Sequence, residues 1–392
     1  MKVEFASKAA EKVNEERLVK LFLEMAKING PSSKESLVAA FLKDELPKLG
    51  FQLTFDEAHK NFNGEVGNLI AWHKGIDDTI PPLFFSTHMD TVLPTENLEP
   101  IIKDGVIYSD GTTILGADDR AALASYIEAM RAIIESGIAH GPIELILTVN
   151  EQAGLVGAKY MDYQKIKSKN GYIFDSSGDV GQIILQGPYS SRIWFTVNGN
   201  AAHIALNADA GNNAFLIASE GLLNMKLGEI DSETLANIGI IHGGELTSII
   251  PGSVTLGGEV RSFSKKKLDA QLEHMQKTME VAAKKYQGAV EVKIDEKYLG
   301  FNVSEEDILV QVVTKATENI QVSSYLTKTL GGADTNVLNE NGLTCITLGN
   351  GFQNIHSFRE NISIENLVNT GRLTAALIEQ WYVQHKFQIG EE

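Results

Sequence analysis

Cysteine is almost absent from this 392-residue chain. Cys345 stands alone, so no internal disulfide can form, and its setting, LTCITLG, reads as a small buried hydrophobe on a strand. Long apolar runs are absent as well: no stretch reaches about 18 uncharged apolar residues, and no membrane-spanning helix is expected. The opening segment, MKVEFASKAAEKVNEERL, has no apolar core of a secretory signal, which predicts a cytoplasmic protein. Positive charge is scarce. Against 51 Asp and Glu there are 34 Lys and Arg, a formal net charge of −17, which argues against nucleic acid and anionic membranes as partners. Internal repeats, low-complexity tracts and disordered linkers are also missing.

What is present is the composition of a globular protein, 43% hydrophobic and 22% charged. The length exceeds one ordinary core and predicts two domains. Residues 7–28 carry helical apolar spacing (Leu18, Leu21, Phe22, Met25) up to the stop signal Asn29-Gly30, and a second helix fits 33–47. Apolar strands then alternate with helices: NLIAWH, LFFSTH, a helix over 119–136 ended by Gly137, ELILTVN and YIFD. That alternation predicts an α/β domain with a mostly parallel sheet. The middle changes pattern. SRIWFTVNG, a helix over 211–227, NIGIIHGG, SVTLGGEVRSF, a helix over 265–286 and AVEVKIDEKY follow in the order β-α-β-β-α-β, that of a ferredoxin-like unit. The chain therefore reads as a larger domain begun over 1–187, an inserted α+β domain over 188–299, and the remainder of the larger domain over 300–392.

In an open α/β sheet, ligands sit beyond the carboxyl ends of the strands, so the residues there carry the chemistry. LFFSTHMDT ends in His88 and Asp90, TILGADDRAALA puts Asp118 and Asp119 at a helix start, and ELILTVNEQAG ends in Glu151. YIFDSSG ends in Asp175, and ITLGNGFQNIHSF carries His356 just past a strand. Each has an ordinary explanation taken singly: a helix N-cap for Asp118 or Asp119, a hydrogen-bonded structural histidine, a turn cap for Asp175. Together they place two histidines and several carboxylates along one edge of one sheet. Such a set suits Zn²⁺, and also Co²⁺ or Mn²⁺, without a thiolate. His88 and Asp90, two apart, share a face if extended, and Asp90 could accept from the imidazole and fix its tautomer.

STHMDT, GADDRAALA, TVNEQAGLVGA, FDSSG, GGADTN and NGFQNIHSFRENI occur in that order. They resemble the motifs of the dinuclear zinc peptidase and deacylase family that includes peptidase T, glutamate carboxypeptidase and succinyl-diaminopimelate desuccinylase. The GADD and TVNE forms are most similar to the peptidase T-like branch, and the resemblance spans nearly the whole chain. It implies that His88 and Asp175 bind one metal, that His356 and the residue after Glu151 bind the other, and that Asp118 bridges them. It also implies a cis bond between Asp118 and Asp119, with Arg120 where the family usually has Lys. Glu151 matches the general base, which would take a proton from the attacking water and pass it to the leaving amine.

One position departs. Where the family has a second, metal-binding acid after the base, this chain has Gln152. An amide oxygen is neutral and holds a divalent cation more weakly than a carboxylate. The expectation is one normal site (His88, Asp118, Asp175) and one weakened site (Asp118, Gln152, His356), with hydrolysis retained. A mononuclear enzyme and an impaired one are the alternatives. GNAAHIALNADAGNNA resembles the family's lid motif, which implies that His203 stabilises the oxyanion and that the inserted domain serves as lid and as surface for a possible homodimer. The motif has Ala205 where Gly is usual, and lacks its Pro. Arg261 matches an arginine that holds a substrate carboxylate, and Asn336 is a further substrate-contact candidate. His59, His73, His140, His242, His274 and His385 fit no motif and read as structural or solvated. The resemblance thus implies a metal-dependent aminopeptidase acting on short peptides, tripeptides among them. An N-acyl-amino-acid deacylase, a carboxypeptidase or a silent binding protein of the same fold are the other readings.

Overall fold

LFFSTH and IELILT are apolar on both faces, the pattern of strands covered above and below. Both are buried along their whole length, as Leu83–His88 and Ile143–Thr148. In the computed structural model, which describes residues 6–389, they lie side by side at the centre of one sheet. The first five residues of the opening segment lie outside the described ones. Four strands run parallel: Ile143–Thr148, Leu83–His88, Asn170–Phe174 and Thr344–Leu348. Antiparallel strands flank them, Leu69–His73 and then Gln52–Phe55 on one side and Gln182–Gly187 on the other. The α/β class expected from the sequence holds, with the parallel pairing confined to the middle.

The helix Ala117–Ser136 is buried over most of its length and packs against Ile364–Ile389 and Glu15–Ala26. Burial on nearly every side explains its run of alanines and its modest amphipathicity. The single helix expected over 7–28 is broken: a short 3-10 turn, Ala10–Lys12, precedes Glu15–Ala26. Val13 ends the turn and Asn14 caps the helix, its side chain accepting from Arg17 N at 2.9 Å. Among the described residues no helix is long and apolar enough to cross a membrane.

The chain divides into two compact units. One comprises Met1–Leu185, Asn302–Lys328 and Ala333–Glu392; the other comprises Gln186–Phe301 and Thr329–Gly332. The second unit holds a five-stranded antiparallel sheet in the order Gly228–Asp231, Thr234–Gly243, Ser253–Ser262, Tyr189–Asn198, Ala289–Tyr298. Its helices, Ala214–Asn224 and Lys265–Lys285, pack on the sheet around Phe195, Leu256, Leu272, Met275 and Met279. Without the added edge strand Gly228–Asp231, strand order and connections are those of the ferredoxin-like unit.

Candidate metal centre

Because the four central strands are parallel, their carboxyl ends open on one edge. Leu83–His88 ends in His88 itself, Asn170–Phe174 passes directly into Asp175, and Ile143–Thr148 leads to Glu151 and Gln152. Thr344–Leu348 leads into the loop that carries His356. Asp118 arrives from the first turn of Ala117–Ser136, where Asp118 and Asp119 leave helical geometry (ψ 98° and 38°) and the bond between them is cis.

These residues converge. Ligand atoms of His88, Asp118 and Asp175 all lie within 4.8 Å of one another. Asp118 is the hub: Oδ1 is 3.0 Å from His88 Nε2, and Oδ2 is 3.0 Å from His356 Nε2. Gln152 Nε2 donates to the same Oδ2 at 2.9 Å. His88 and Asp118 are buried, whereas the His356 side chain is 46% exposed. Asp119 turns the other way, accepting from the Thr87 hydroxyl and, at 2.9 Å, from Asn350 Nδ2.

The electrostatics are those of crowded acids. Burial, then the charge of Asp118, pushes Asp175 up to about 7. Burial pushes Glu151 well above the usual carboxylate range; His88 opposes this, while Asp175, Asp334 and Asp90 add to it. Burial works on Asp118 in the same sense, but hydrogen bonds with His356 and His88 outweigh it and hold that carboxyl far down. A cluster whose acids raise one another gains from a cation, and one imidazole with two carboxylates is a donor set that fits a divalent metal.

A second layer holds the first. His88 Nδ1 lies 2.9 Å from the main-chain oxygen of Asp90 and 3.4 Å from its Oδ1. The imidazole is therefore fixed chiefly by the Asp90 backbone, and the carboxylate expected to fix it has other partners: Glu151 N at 3.0 Å and Gln152 N at 3.1 Å. Glu360, fully buried, accepts from Gly116 N at 2.8 Å and Asp118 N at 3.0 Å, so it fixes the backbone of the hub. Arg120 is also buried, donating to Met89 O. Asn336 is buried with its Oδ1 3.3 Å from Ala333 N, at the start of Asp334–Glu340. Nothing in the spacing marks Glu360 as a support, although it lies inside the NIHSFRENI motif, four residues after His356.

Residues 84–380 match peptidase family M20/M25/M40. The chain belongs to this family. It is 38% identical over 94% of its length to the uncharacterized protein YqjE of Bacillus subtilis (strain 168), 99% of which is covered. The crystal structure of aminopeptidase PepT from Bacillus cereus ATCC 10987 superposes with a TM-score of 0.88 at 38% identity, over 95% of this chain and 100% of that one. A tripeptidase from Staphylococcus aureus subsp. aureus Mu50 gives 0.90 at 35% identity, over 94% and 98%.

Two of this M20 chain's expected site residues belong to the second unit. His203 lies on the short strand Ala202–His203, paired with Ile249–Ile250, and its Nδ1 accepts from Ala205 N at 3.2 Å. Arg261, on Ser253–Ser262, pairs through Nε with Glu259 at 2.6 Å and donates from Nη1 to Leu330 O at 2.9 Å. Burial opposes its charge, but Tyr298 and Glu259 hold its pKa above the ordinary arginine value.

Proposed function

We propose that this M20 peptidase is a metal-dependent aminopeptidase that removes the N-terminal residue of short peptides, tripeptides among them. The observation that carries this reading is a buried acid, Glu151, on the loop beside the His88–Asp118–Asp175 cluster. The aminopeptidase and tripeptidase similar to this chain over nearly its whole length support the substrate class.

His88, Asp118 and Asp175 would hold one ion, and Asp118, Gln152 and His356 a second, weaker one. Zn²⁺ suits these donors best, with Co²⁺ or Mn²⁺ as substitutes. Bound there, the ions would supply Lewis acidity to the scissile carbonyl and to water. Glu151, pushed up by burial and by neighbouring acids, is set to accept and release a proton. It takes the proton of the attacking water and returns it to the leaving amine. Asp90 orients this step by gripping the Glu151 and Gln152 N–H groups. His203 would donate to the oxyanion, Arg261 would exchange part of its pairing with Glu259 for a substrate carboxylate, and Asn336 would contact the substrate. On this reading the enzyme works in the cytoplasm and forms a homodimer through the inserted unit.

Free tripeptides, N-blocked peptides and acyl-amino acids, assayed side by side, test the assignment. Release of the first residue only from unblocked peptides is expected; cleavage of the blocked substrates alone overturns it in favour of a deacylase or carboxypeptidase. Glu151→Gln should lower kcat by about 10²–10⁴-fold with metal content retained.

A further inference from the structure

Three consecutive main-chain N–H groups beyond Ile143–Thr148 are captured by two buried carboxylates. Asn150 N donates to Glu35 Oε1 at 2.9 Å, Glu151 N to Asp90 Oδ1 at 3.0 Å, and Gln152 N to Asp90 Oδ2 at 3.1 Å. Asn150 has φ 54°, the left-handed region that residues other than glycine seldom adopt. Such a conformation persists only where its surroundings over-determine it.

Glu35 supplies much of that determination. It stands at the N-terminal boundary of Ser36–Lys48, yet its side chain makes no capping bond to that helix. It reaches instead to a loop 115 residues further along the chain. Oε1 also accepts from Ser33 N at 2.8 Å, and the Ser33 hydroxyl donates to Asn150 Oδ1 at 3.1 Å. The side chain is fully buried, and among the described residues its Oε2 has no hydrogen-bond partner. A half-satisfied buried carboxyl is a poor choice for stability alone, so its placement calls for another reason. Two charges face it: Asp90 repels it, and the buried Arg120 guanidinium attracts both acids.

We propose that Glu35 is a positioning residue for peptide hydrolysis: through Oε1 it fixes the Asn150 turn and so aims the Glu151 carboxyl. This rests on Glu151 acting as general base. A base must lie within hydrogen-bond reach of the proton it takes, and a displacement of about 1 Å can slow a reaction about 10²-fold.

Two variants separate reach from charge. Glu35→Asp keeps the charge but withdraws the carboxyl by one methylene. Glu35→Gln keeps an acceptor oxygen at the original reach but removes the charge. Glu35→Asp should lose about 10–100-fold in kcat with KM and bound metal unchanged. Glu35→Gln should regain most of that loss. The reverse order, with Glu35→Gln slow and Glu35→Asp near the parent, overturns the proposal by making charge the operative property. So does a loss of metal that accounts for the loss of activity. Glu151→Gln runs alongside: if it turns over like the parent, the base assignment falls and the proposal with it. If it is inactive while Glu35→Asp matches the parent, the positioning role alone is rejected.

Discussion

Gln152 points its amide nitrogen, not its oxygen, at Asp118 Oδ2, 2.9 Å away, in the place where the family's pattern has a carboxylate. An N–H there offers partial positive charge to the hub oxygen, doing weakly what a second cation would do. The parent should therefore hold one ion tightly and release a second to a mild chelator, while Gln152→Glu retains two. Metal analysis after graded chelation checks this, and two firmly held ions in both proteins would sink it. Glu360 acts on the hub from behind. Glu360→Ala strips buried partners from Gly116 N and Asp118 N and should weaken metal binding about 10–100-fold, read by competition with a chromophoric chelator; unchanged affinity would assign Glu360 to folding alone. The acids and histidines of the candidate site were legible in the sequence because they stand at strand ends or, for Asp118, at a helix start; which of them would hold metal followed only from the resemblance to the family. Glu35 and Glu360 were not legible, because an acid beside a helix or in a loop looks the same whether it faces water or a buried amide.

At the scale of elements, the turn that presents Glu151 depends on close approach. A Cβ on Gly157 would come 2.0 Å from Val149 O and 2.6 Å from Asn68 Oδ1. Asn68 is itself buried, bonding Asp56 Oδ2 at 2.7 Å, Gly157 O at 2.9 Å and Val149 N at 3.1 Å. Gly157→Ala must push the strand exit away from this asparagine, at about 1–3 kcal/mol of stability, with kcat falling because Glu151 moves with it. Chemical denaturation and turnover of the same preparation check both, and a variant as stable as the parent would show that the loop yields freely. The central strands were readable because burial on two faces demands continuous apolar runs. The hairpin Ile101–Lys103 with Val106–Tyr108 and the edge strand Gly228–Asp231 were not, since their short, mostly exposed segments carry no such run. The break at Asn14 was hidden by apolar spacing that continues across it.

For the whole molecule, the pH dependence of stability combines groups of opposite sign. His73 stacks on His140 with ring centroids 5.2 Å apart, far from the candidate site because Leu69–His73 runs antiparallel to its neighbour and pairs His73 with Ile143. Burial, then the charge of His140, lowers His73 to about 4, and burial lowers His140 too. Below about pH 6.5 the unfolded chain takes up protons that these folded histidines refuse, so their contribution to stability is lost as pH falls toward 4. Glu35 and Glu360, each pushed up to about 7 by burial, act the other way: the folded state gains as pH falls through 7. Comparing His73→Asn with the parent isolates the histidine term. The variant should gain on the parent as pH drops from 7 to 5 in urea-denaturation midpoints, and a difference that stays constant would refute the assignment.

The sequence by itself determined the α/β class and the inserted β-α-β-β-α-β unit, and it gathered two histidines and several acids along one sheet edge, because strand burial, helix period and strand-end residues are local properties of the chain. It also marked Gln152 as the departure, since that needs only a comparison of residue types at one position. The tertiary structure decided what each acid does. Asp118 and Asp119 are adjacent and alike in sequence, yet one faces two imidazoles and the other faces Thr87 and Asn350. Glu35, Asp90 and Glu360 support the site through backbone N–H groups, and every residue but proline carries one. Which N–H a carboxylate reaches depends on where folding brings distant segments together, and no local pattern encodes that.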